Sequence, residues 1–318
     1  MRYNSSYVFN HSFRKSINKL YGILMMRNPK RWKRMVDNNI HRSVDIKWRR
    51  WYGVKFPFEN PQTLNEKIQY LLADTDISMW SKCADKYEVR EYVKQCGLGE
   101  ILTECYGVWD RIEDIDWNKL PNQFVIKCTH DCGSTIIVDN KSQLDIEKTK
   151  AFLSSHMKND FCYPTGEVHY AKIVPRIMAE ELIPQESEGF QSRSMADYKF
   201  WGFRGRVDYC MMVYDRGEDG NDYILDLYSV KDWKQKKDGL TNEYDARFKQ
   251  SIPRPENLDR MIEIAQVLSK QFPQVRVDLY NVRGRIYFGE LTFTSQGGKM
   301  NYYTEEFQRE LGSYVIID

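Results

Sequence analysis

At 318 residues, with 42% hydrophobic and 29% charged residues, the chain is long enough for two domains and has the balance of an ordinary soluble globular protein. No run approaches the ~20 apolar residues of a membrane span, the N-terminus lacks a signal-peptide pattern, and seven unevenly spaced cysteines exclude a small disulfide framework and favour a reducing compartment. Residues 1–50 hold 13 Lys/Arg against Asp37 and Asp45, a balance of +11; with a net +2 overall, the remaining 268 residues stand at −9.

Residues 1–60 read as a basic helical extension in which Trp32, Trp48 and Trp51 alternate with Arg and Lys. A basic arm on an acidic body calls for an anionic partner such as lipid or acidic glycan, or for folding back on the body; nucleic acid is not expected. The run Lys47-Trp48-Arg49-Arg50-Trp51 suits an interfacial helix, and equally a helix whose aromatics pack on the body. Pro57 and Pro61 mark the boundary. Residues 61–120 read as a helical segment. Thr63-Leu-Asn-Glu66 has capping-box spacing and predicts a helix over 64–73; a second helix runs over 82–95 and stops at Gly97.

Residues 121–195 open on an apolar, β-branched strand, 124–128. The turn-like residues 129–134 lead into a second strand, 135–138, which completes a hairpin, and a helix over 144–156 follows. A strand over 176–183 ends at Pro184, before a polar loop over 187–194. From 196 to 318 the pattern is two hairpins separated by a turn-rich stretch. The first pairs 197–203 with 206–214 about Arg204-Gly205. The stretch 215–256 is charged and holds a strand at 223–229. A helix over 257–271 buries Leu258, Met261, Ile262, Ala265 and Leu268 on one face. The closing hairpin, 275–280 with 285–293, turns at Arg283-Gly284.

That closing hairpin carries the chemistry. Strand residues two apart face the same way, so Arg276 projects with Asp278, and Glu290 with Thr292, while Val277, Leu279, Leu291 and Phe293 face the core. Paired, the strands set two carboxylates, a hydroxyl and an arginine on one surface, the oxygen-rich donor set Mg²⁺ takes. The alternative is an amphipathic hairpin whose polar face is only solvated. Upstream, Lys127 ends an apolar strand just before Thr129–Ser134, where Gly133 and Ser134 can offer backbone N–H groups to phosphate. Lys199 is a second strand lysine of the same kind. Cys128, His130 and Cys132 lack a second Cys/His pair at zinc spacing, so no zinc site is expected. His130 and His169 read as solvent-facing or structural.

In order along the chain, these pieces resemble the ATP-grasp superfamily, and within it the TupA-like branch, named for a teichuronopeptide-synthesis protein and found in bacterial polysaccharide gene clusters. The matching stretches are Leu64–Gln69, Asp85-Lys86, Leu120–Lys127, Pro175–Glu181, Asp197–Phe200, Val275–Asn281 and Gly289–Thr294. The resemblance covers about residues 60–310 and implies an α+β fold of two subdomains gripping ATP. It implies that Lys127 holds the α/β-phosphates beneath a loop of Asp131-Cys-Gly133-Ser134. It further implies that Ala179–Ile183, including Leu182, reads adenine and ribose, with Glu180 or Glu181 on the ribose. Lys199 then resembles the second phosphate lysine, and Asp278 and Glu290 the ligands of two Mg²⁺ ions. Arg276 resembles the arginine on the transferred phosphoryl or acyl group. Many family ligases place Asn two residues after the bridging Glu; Thr292 stands there in this chain.

The implied reaction joins a carboxylate, carried by a cell-surface polysaccharide or its precursor, to an amino acid or other amine through an acyl phosphate. The enzyme is expected in the cytoplasm, either free or peripheral at the inner face of the membrane through residues 1–60. Two rival enzymes are a sugar kinase on the same fold and a glycosyltransferase using Asp74-Thr-Asp76 or Asp114-Ile-Asp116. A non-catalytic module that binds acidic polymer through the basic arm is the third rival.

Overall fold

The computed structural model describes residues 5–160, 162–185, 189–217, 222–245 and 250–317, with backbone alone over 5–13. Parts of the loops expected over 187–194 and 215–256 therefore lie outside the described residues.

Three helices form the N-terminal extension: α1 (Ser5–Met26), α2 (Pro29–Asn38) and α3 (Ile40–Tyr52). Asn28 caps α2 and Asn39 caps α3, and each side chain accepts a backbone N–H of the first turn. The Trp-rich run lies on α3 and settles into protein: Lys47 and Trp48 are buried, and the Trp48 ring packs on Tyr52 and Phe56 at 4.3 and 5.1 Å. Of the two readings of that run, packing on the body is the one observed.

Next come α4 (Leu64–Asp74), α5 (Ser78–Ala84) and α6 (Val89–Gln95). Thr63 and Glu66 close the expected capping box on α4. The single helix expected over 82–95 is two helices, because the Asp85 carboxylate accepts the backbone N–H of Tyr87 at 2.7 Å and of Glu88 at 3.0 Å. Its other oxygen is held by Arg176 at 3.1 Å. A side chain that competes for backbone donors ends one helix and starts the next.

Strands β1 (Cys105–Trp109), β2 (Phe124–Cys128) and β3 (Ile136–Val138), helices α7 (Ile146–Met157) and α8 (Cys162–Thr165), and strand β4 (Ile177–Glu180) follow. They build an antiparallel sheet in the order β1-β4-β2-β3. Its core is Phe124, Ile126, Val138, Ile177 and Ala179, covered by Leu153 of α7. Strand β1 was not expected, and it extends this sheet back into the segment read as helical.

The second sheet uses β5 (Asp197–Phe203), β6 (Arg206–Tyr214) and β7 (Ile224–Ser229), then α9 (Asn242–Asp245), α10 (Leu258–Ser269), β8 (Val275–Val282), β9 (Arg285–Thr292) and α11 (Glu305–Tyr314). Its antiparallel order is β7-β6-β5-β8-β9. Both hairpins turn where expected: Arg204 and Gly205 have φ of 49° and 88°, Arg283 and Gly284 of 51° and 77°, the paired left-handed residues of a tight two-residue turn. Helix α10 packs across β5 and β8, with Leu258, Met261, Ala265 and Leu268 buried as expected. Among the described residues, no helix is long and apolar enough to cross a membrane.

Candidate active site

Cross-strand register brings the carboxylates together. Asp278 of β8 pairs with Glu290 of β9 on one side and with Lys199 of β5 on the other, while Arg276 pairs with Thr292. Three adjacent strands thus present Lys199, Asp278 and Glu290 in one row. Val277, Leu279, Leu291 and Phe293 are buried on the opposite face, as alternation requires.

The row is a bonded network rather than a solvated surface. Asp278 is buried; its Oδ1 accepts Arg276 Nε at 2.7 Å, and its Oδ2 accepts Arg276 Nη2 at 2.7 Å and Lys199 Nζ at 2.5 Å. Arg276 Nη2 also reaches Thr292 Oγ1 at 3.0 Å and Glu290 Oε1 at 3.3 Å, and Nη1 reaches Ser295. Burial opposes the guanidinium's charge, but Asp278 and Glu290 outweigh it, and its pKa lies above the ordinary value. The Glu290 side chain is 50% exposed, against 3% for Asp278. The two acids are alike in sequence and unlike in setting.

Lys127 of β2 lines the same space from the first sheet. A cavity of about 460 Å³ is bounded by Val125, Lys127, Ile137 and Glu180–Ile183 on one side, and by Lys199, Asp278, Phe288 and Glu290 on the other. The Lys127 ammonium is paired with Glu180. Glu180 Oε2 accepts Thr103 Oγ1 at 2.8 Å and lies 3.6 Å from Arg90. Burial works against the Glu180 charge, but Lys127, Thr103 and Arg90 hold its pKa below the ordinary glutamate value. Among the described residues no cation pairs with Glu181, whose Oε2 accepts the backbone N–H of Glu104 at 3.1 Å. Leu182 lies on the cavity wall.

The loop between β2 and β3 divides its labour in a way the sequence did not reveal. Ser134 is buried and turned inward. Its hydroxyl accepts Cys128 N at 3.0 Å and donates to Asp131 Oδ1 at 2.5 Å, so the side chain is used within the loop, and the role expected of Ser134 rests on its backbone N–H. The other Asp131 oxygen pairs with His156, and its carbonyl accepts Lys86 Nζ. The Asp131 and Ser134 side chains hold the loop's shape; Cys132 lines this cavity, and Asp131, Cys132 and Gly133 line a second one beside it. Gly133 has φ +92°, a conformation side chains disfavour. Cys128, His130 and Asp131 offer ligand atoms within 4.8 Å of one another; the Asp131 carboxylate is committed to Ser134 and His156, and Cys132 is exposed. His130 and His169 are both buried and line neither cavity. Burial drives the His169 pKa down to about 3, which keeps it neutral.

A second cavity of about 600 Å³ meets the first at Lys86, Cys132, Thr135, Lys199, Arg216 and Glu290. Glu167, Tyr170, Tyr223 and Tyr302 also line it. The Glu167 carboxylate is buried, accepts Thr294 Oγ1, and is pushed above its ordinary pKa by that burial. Arg216 is held by Asp197 at 2.8 Å. Lys86, Glu167 and Arg216 were assigned no role from sequence. They sit in turns without periodicity, and only the Asp85-Lys86 pair left a trace. Neither Asp-x-Asp pair reaches these cavities: Asp74 ends α4 beside His41 at 2.8 Å, and Asp114 closes a short turn at Ile112–Asp114.

No curated protein matches the sequence. Among solved structures, D-alanine–D-alanine ligase from Bacillus anthracis is 15% identical with a TM-score of 0.39, over 69% of this chain and 59% of that one. An L-amino acid ligase from Bacillus licheniformis is 14% identical with a TM-score of 0.45, over 77% and 53%. The ATP-grasp ligase PsnB, complexed with minimal precursor, is 11% identical with a TM-score of 0.40, over 89% and 75%. The chain spans roughly three fifths of the length of the first D-alanine–D-alanine ligases it matches. The family profile described as TupA-like ATPgrasp matches residues 66–316, a span that takes in both sheets and both cavities. The chain belongs to the TupA-like ATP-grasp family.

Proposed function

We propose that this protein is an ATP-dependent carboxylate–amine ligase that works through an acyl phosphate and releases ADP. The supporting observation is the row Lys199–Asp278–Glu290 facing Lys127 across one cavity, with Arg276 and Thr292 on a second cavity that meets the first at Lys199 and Glu290. The four-stranded and five-stranded sheets are the small and large grips, and ATP lies between them. Its adenine rests against Val125, Ile137, Leu182 and Phe288. Glu181 takes the ribose, because Glu180 is committed to Lys127. Lys127 and the loop at Gly133 hold the α/β-phosphates, and Lys199 meets the terminal ones.

Two neighbouring carboxylates and a hydroxyl, all oxygen donors, fit Mg²⁺. Asp278, Glu290 and Thr292 would hold it, and the ion, in one or two copies, supplies neutralising charge to the triphosphate. A carboxylate oxygen of the substrate attacks the γ-phosphorus and ADP leaves. The amine then attacks the acyl carbon, phosphate departs, and an amide remains. Arg276 and Lys199 lie where charge accumulates on the transferred phosphoryl group, and such positioning carries most of phosphoryl-transfer catalysis.

The acid and amine occupy the second cavity, where Arg216 and Lys86 suit a carboxylate and Glu167 an ammonium. Its three tyrosines suit the faces of sugar rings. With the family's name, these residues support a uronic acid-bearing surface polysaccharide or its precursor as the acid. Seven free cysteines suit a reducing cytoplasm, and the basic residues 1–60 suit peripheral contact with the inner face of an anionic membrane.

The test is ADP release from ATP and Mg²⁺ with a uronate-containing glycan and a panel of amino acids, with and without hydroxylamine. The expected result is hydroxamate formation and amine-dependent turnover. Phosphorylated glycan with no hydroxamate makes the protein a kinase, and carboxylate-independent ADP release overturns the ligase reading.

A further inference from the structure

Helix α1 packs on protein through one face and leaves a second, apolar face uncovered. On the inward face Asn18 Nδ2 donates to Gly53 O at 2.9 Å, Asn18 Oδ1 accepts Arg49 Nη1 at 2.6 Å, Gly22 lies so close to α3 that a Cβ there would sit 2.7 Å from Arg50, and Met25 and Met26 pack on Trp32, Val36 and Ile46. Its outward face is apolar. Ile17, Leu20, Tyr21 and Leu24 recur at i, i+3, i+4 and i+7, the spacing of one helical stripe, and are 50%, 56%, 38% and 55% exposed. Ile23 flanks them at 51%. Five large apolar side chains within about two turns are a continuous patch, unlike the scattered single residues of a normal surface.

The charges around the stripe identify what covers it. Arg14 and Arg27 continue it at either end, at i−3 from Ile17 and i+3 from Leu24, and Lys19 lies at i−4 from Ile23; all three are exposed. Lys30, Arg31 and Arg34 of the next helix are exposed as well. Within residues 1–50 only Asp37 and Asp45 occur, Asp45 is bonded to Arg49, and Asp160 reaches the extension at Lys33 of α2. An apolar stripe rimmed by cations and free of acids matches an anionic bilayer surface, where side chains enter the acyl boundary and the cations meet headgroups. A second copy of the chain would bring a like-charged rim against this one, and nucleic acid offers nothing to the apolar stripe.

We propose that α1 is an interfacial anchor that lies in the plane of an anionic membrane through Ile17, Leu20, Tyr21, Ile23 and Leu24. This rests on the peripheral-membrane reading of residues 1–60 and deepens it, moving the contact from the Trp-rich run on α3, where Lys47 and Trp48 are buried, to α1. The anchor keeps the two cavities near substrate carried on lipid without contributing to the chemistry.

The experiment is co-sedimentation of the full chain with vesicles of phosphatidylcholine alone or with about 30% phosphatidylglycerol. The comparison is an Ile17→Ser, Leu20→Ser, Leu24→Ser variant whose helix content and light-scattering mass are checked in parallel. The wild type should bind only the anionic vesicles and release progressively as salt rises, and the variant should bind at least about tenfold more weakly with unchanged fold. Wild-type binding that the triple variant retains overturns the anchor and leaves the basic-arm reading standing. Absence of wild-type binding overturns both, and a wild-type dimer that the substitutions dissociate makes a second copy the occupant.

Discussion

Asp278→Asn and Glu290→Gln are the same chemical change on facing residues of one hairpin, yet the structure assigns them different consequences. Both Asp278 oxygens are used, by three charge-assisted bonds from Arg276 and Lys199 at 2.5–2.7 Å in a buried setting. An asparagine amide turns its NH₂ against one of those donors and leaves two buried cations short of a counter-charge. Breaking such a pair costs about 3–5 kcal/mol, or a fall in Tm of roughly 6–10 °C at about 2 °C per kcal/mol for a chain this size. Glu290 is half exposed and receives one 3.3 Å contact from Arg276 and one 3.0 Å bond from Thr292. Glutamine keeps the oxygen for both, so its cost is about 1 kcal/mol or less. Both variants should lose carboxylate-dependent ADP release by at least about a hundredfold, since each removes an anion from the proposed Mg²⁺ donor set. Calorimetry without nucleotide, paired with the ADP assay, reads the two effects separately. An E290Q protein that unfolds as early as D278N, or that keeps turning over ATP, would refute the division of labour.

Lys127→Met should weaken a non-hydrolysable ATP analogue by at least about tenfold in titration calorimetry, and should lower Tm because Glu180 keeps only Arg90, at 3.6 Å, and Thr103. Gly133→Ala forces a side chain to φ +92°; a stability loss of about 1–2 kcal/mol by chemical denaturation is expected, with weaker nucleotide binding. Asp226 lies away from the row, bonded to Tyr214 at 2.9 Å and Gln235 at 3.1 Å, and burial pushes its carboxyl up to about 6 from 3.8. The folded state therefore binds more protons between those values, so this group's contribution falls as pH rises through 3.8 to 6 and is fully unfavourable at pH 7. Asp226→Asn should be up to about 3 kcal/mol more stable than wild type at pH 7 and no more stable near pH 3.5. An equal gain at both pH values would show that the ionised carboxylate is not the cause.

Legibility followed how local each cause is. The hairpins at Arg204-Gly205 and Arg283-Gly284 could be read because the turn chemistry and the alternation on both sides are short-range, and the same alternation gave the face shared by Arg276, Asp278, Glu290 and Thr292. Strand β1 could not. All five of its residues are half-buried, without a period of two, and what makes Cys105–Trp109 a strand is its pairing with β4, some seventy residues on. The break at Asp85 depends in the same way on Arg176. Sequence also identifies a residue type without its direction: only the bonds of Ser134 to Cys128 and Asp131 show its hydroxyl turned inward. Lys86, Glu167 and Arg216 stand on turns, where no periodicity signals a shared cavity.

Charge explains why so many buried ions are tolerated in one place. Four of the cations around the two cavities have a carboxylate at hand: Lys127 has Glu180, Lys199 and Arg276 share Asp278, and Arg216 has Asp197. Lys86 rests instead on the carbonyl of Asp131, and burial together with nearby Lys127 lowers its pKa. Bare cations would be costly to bury, whereas paired ones stay charged and oriented. A triphosphate entering with its Mg²⁺ brings both signs. Phosphate oxygens can then replace the carboxylates as partners of the lysines and arginines, while Asp278 and Glu290 become available as oxygen donors, with little change in total charge. The bonds that stabilise the fold around Asp278 are thus the same ones proposed to be exchanged on binding, and that is why the buried carboxylate should be expensive to remove and the half-exposed one cheap.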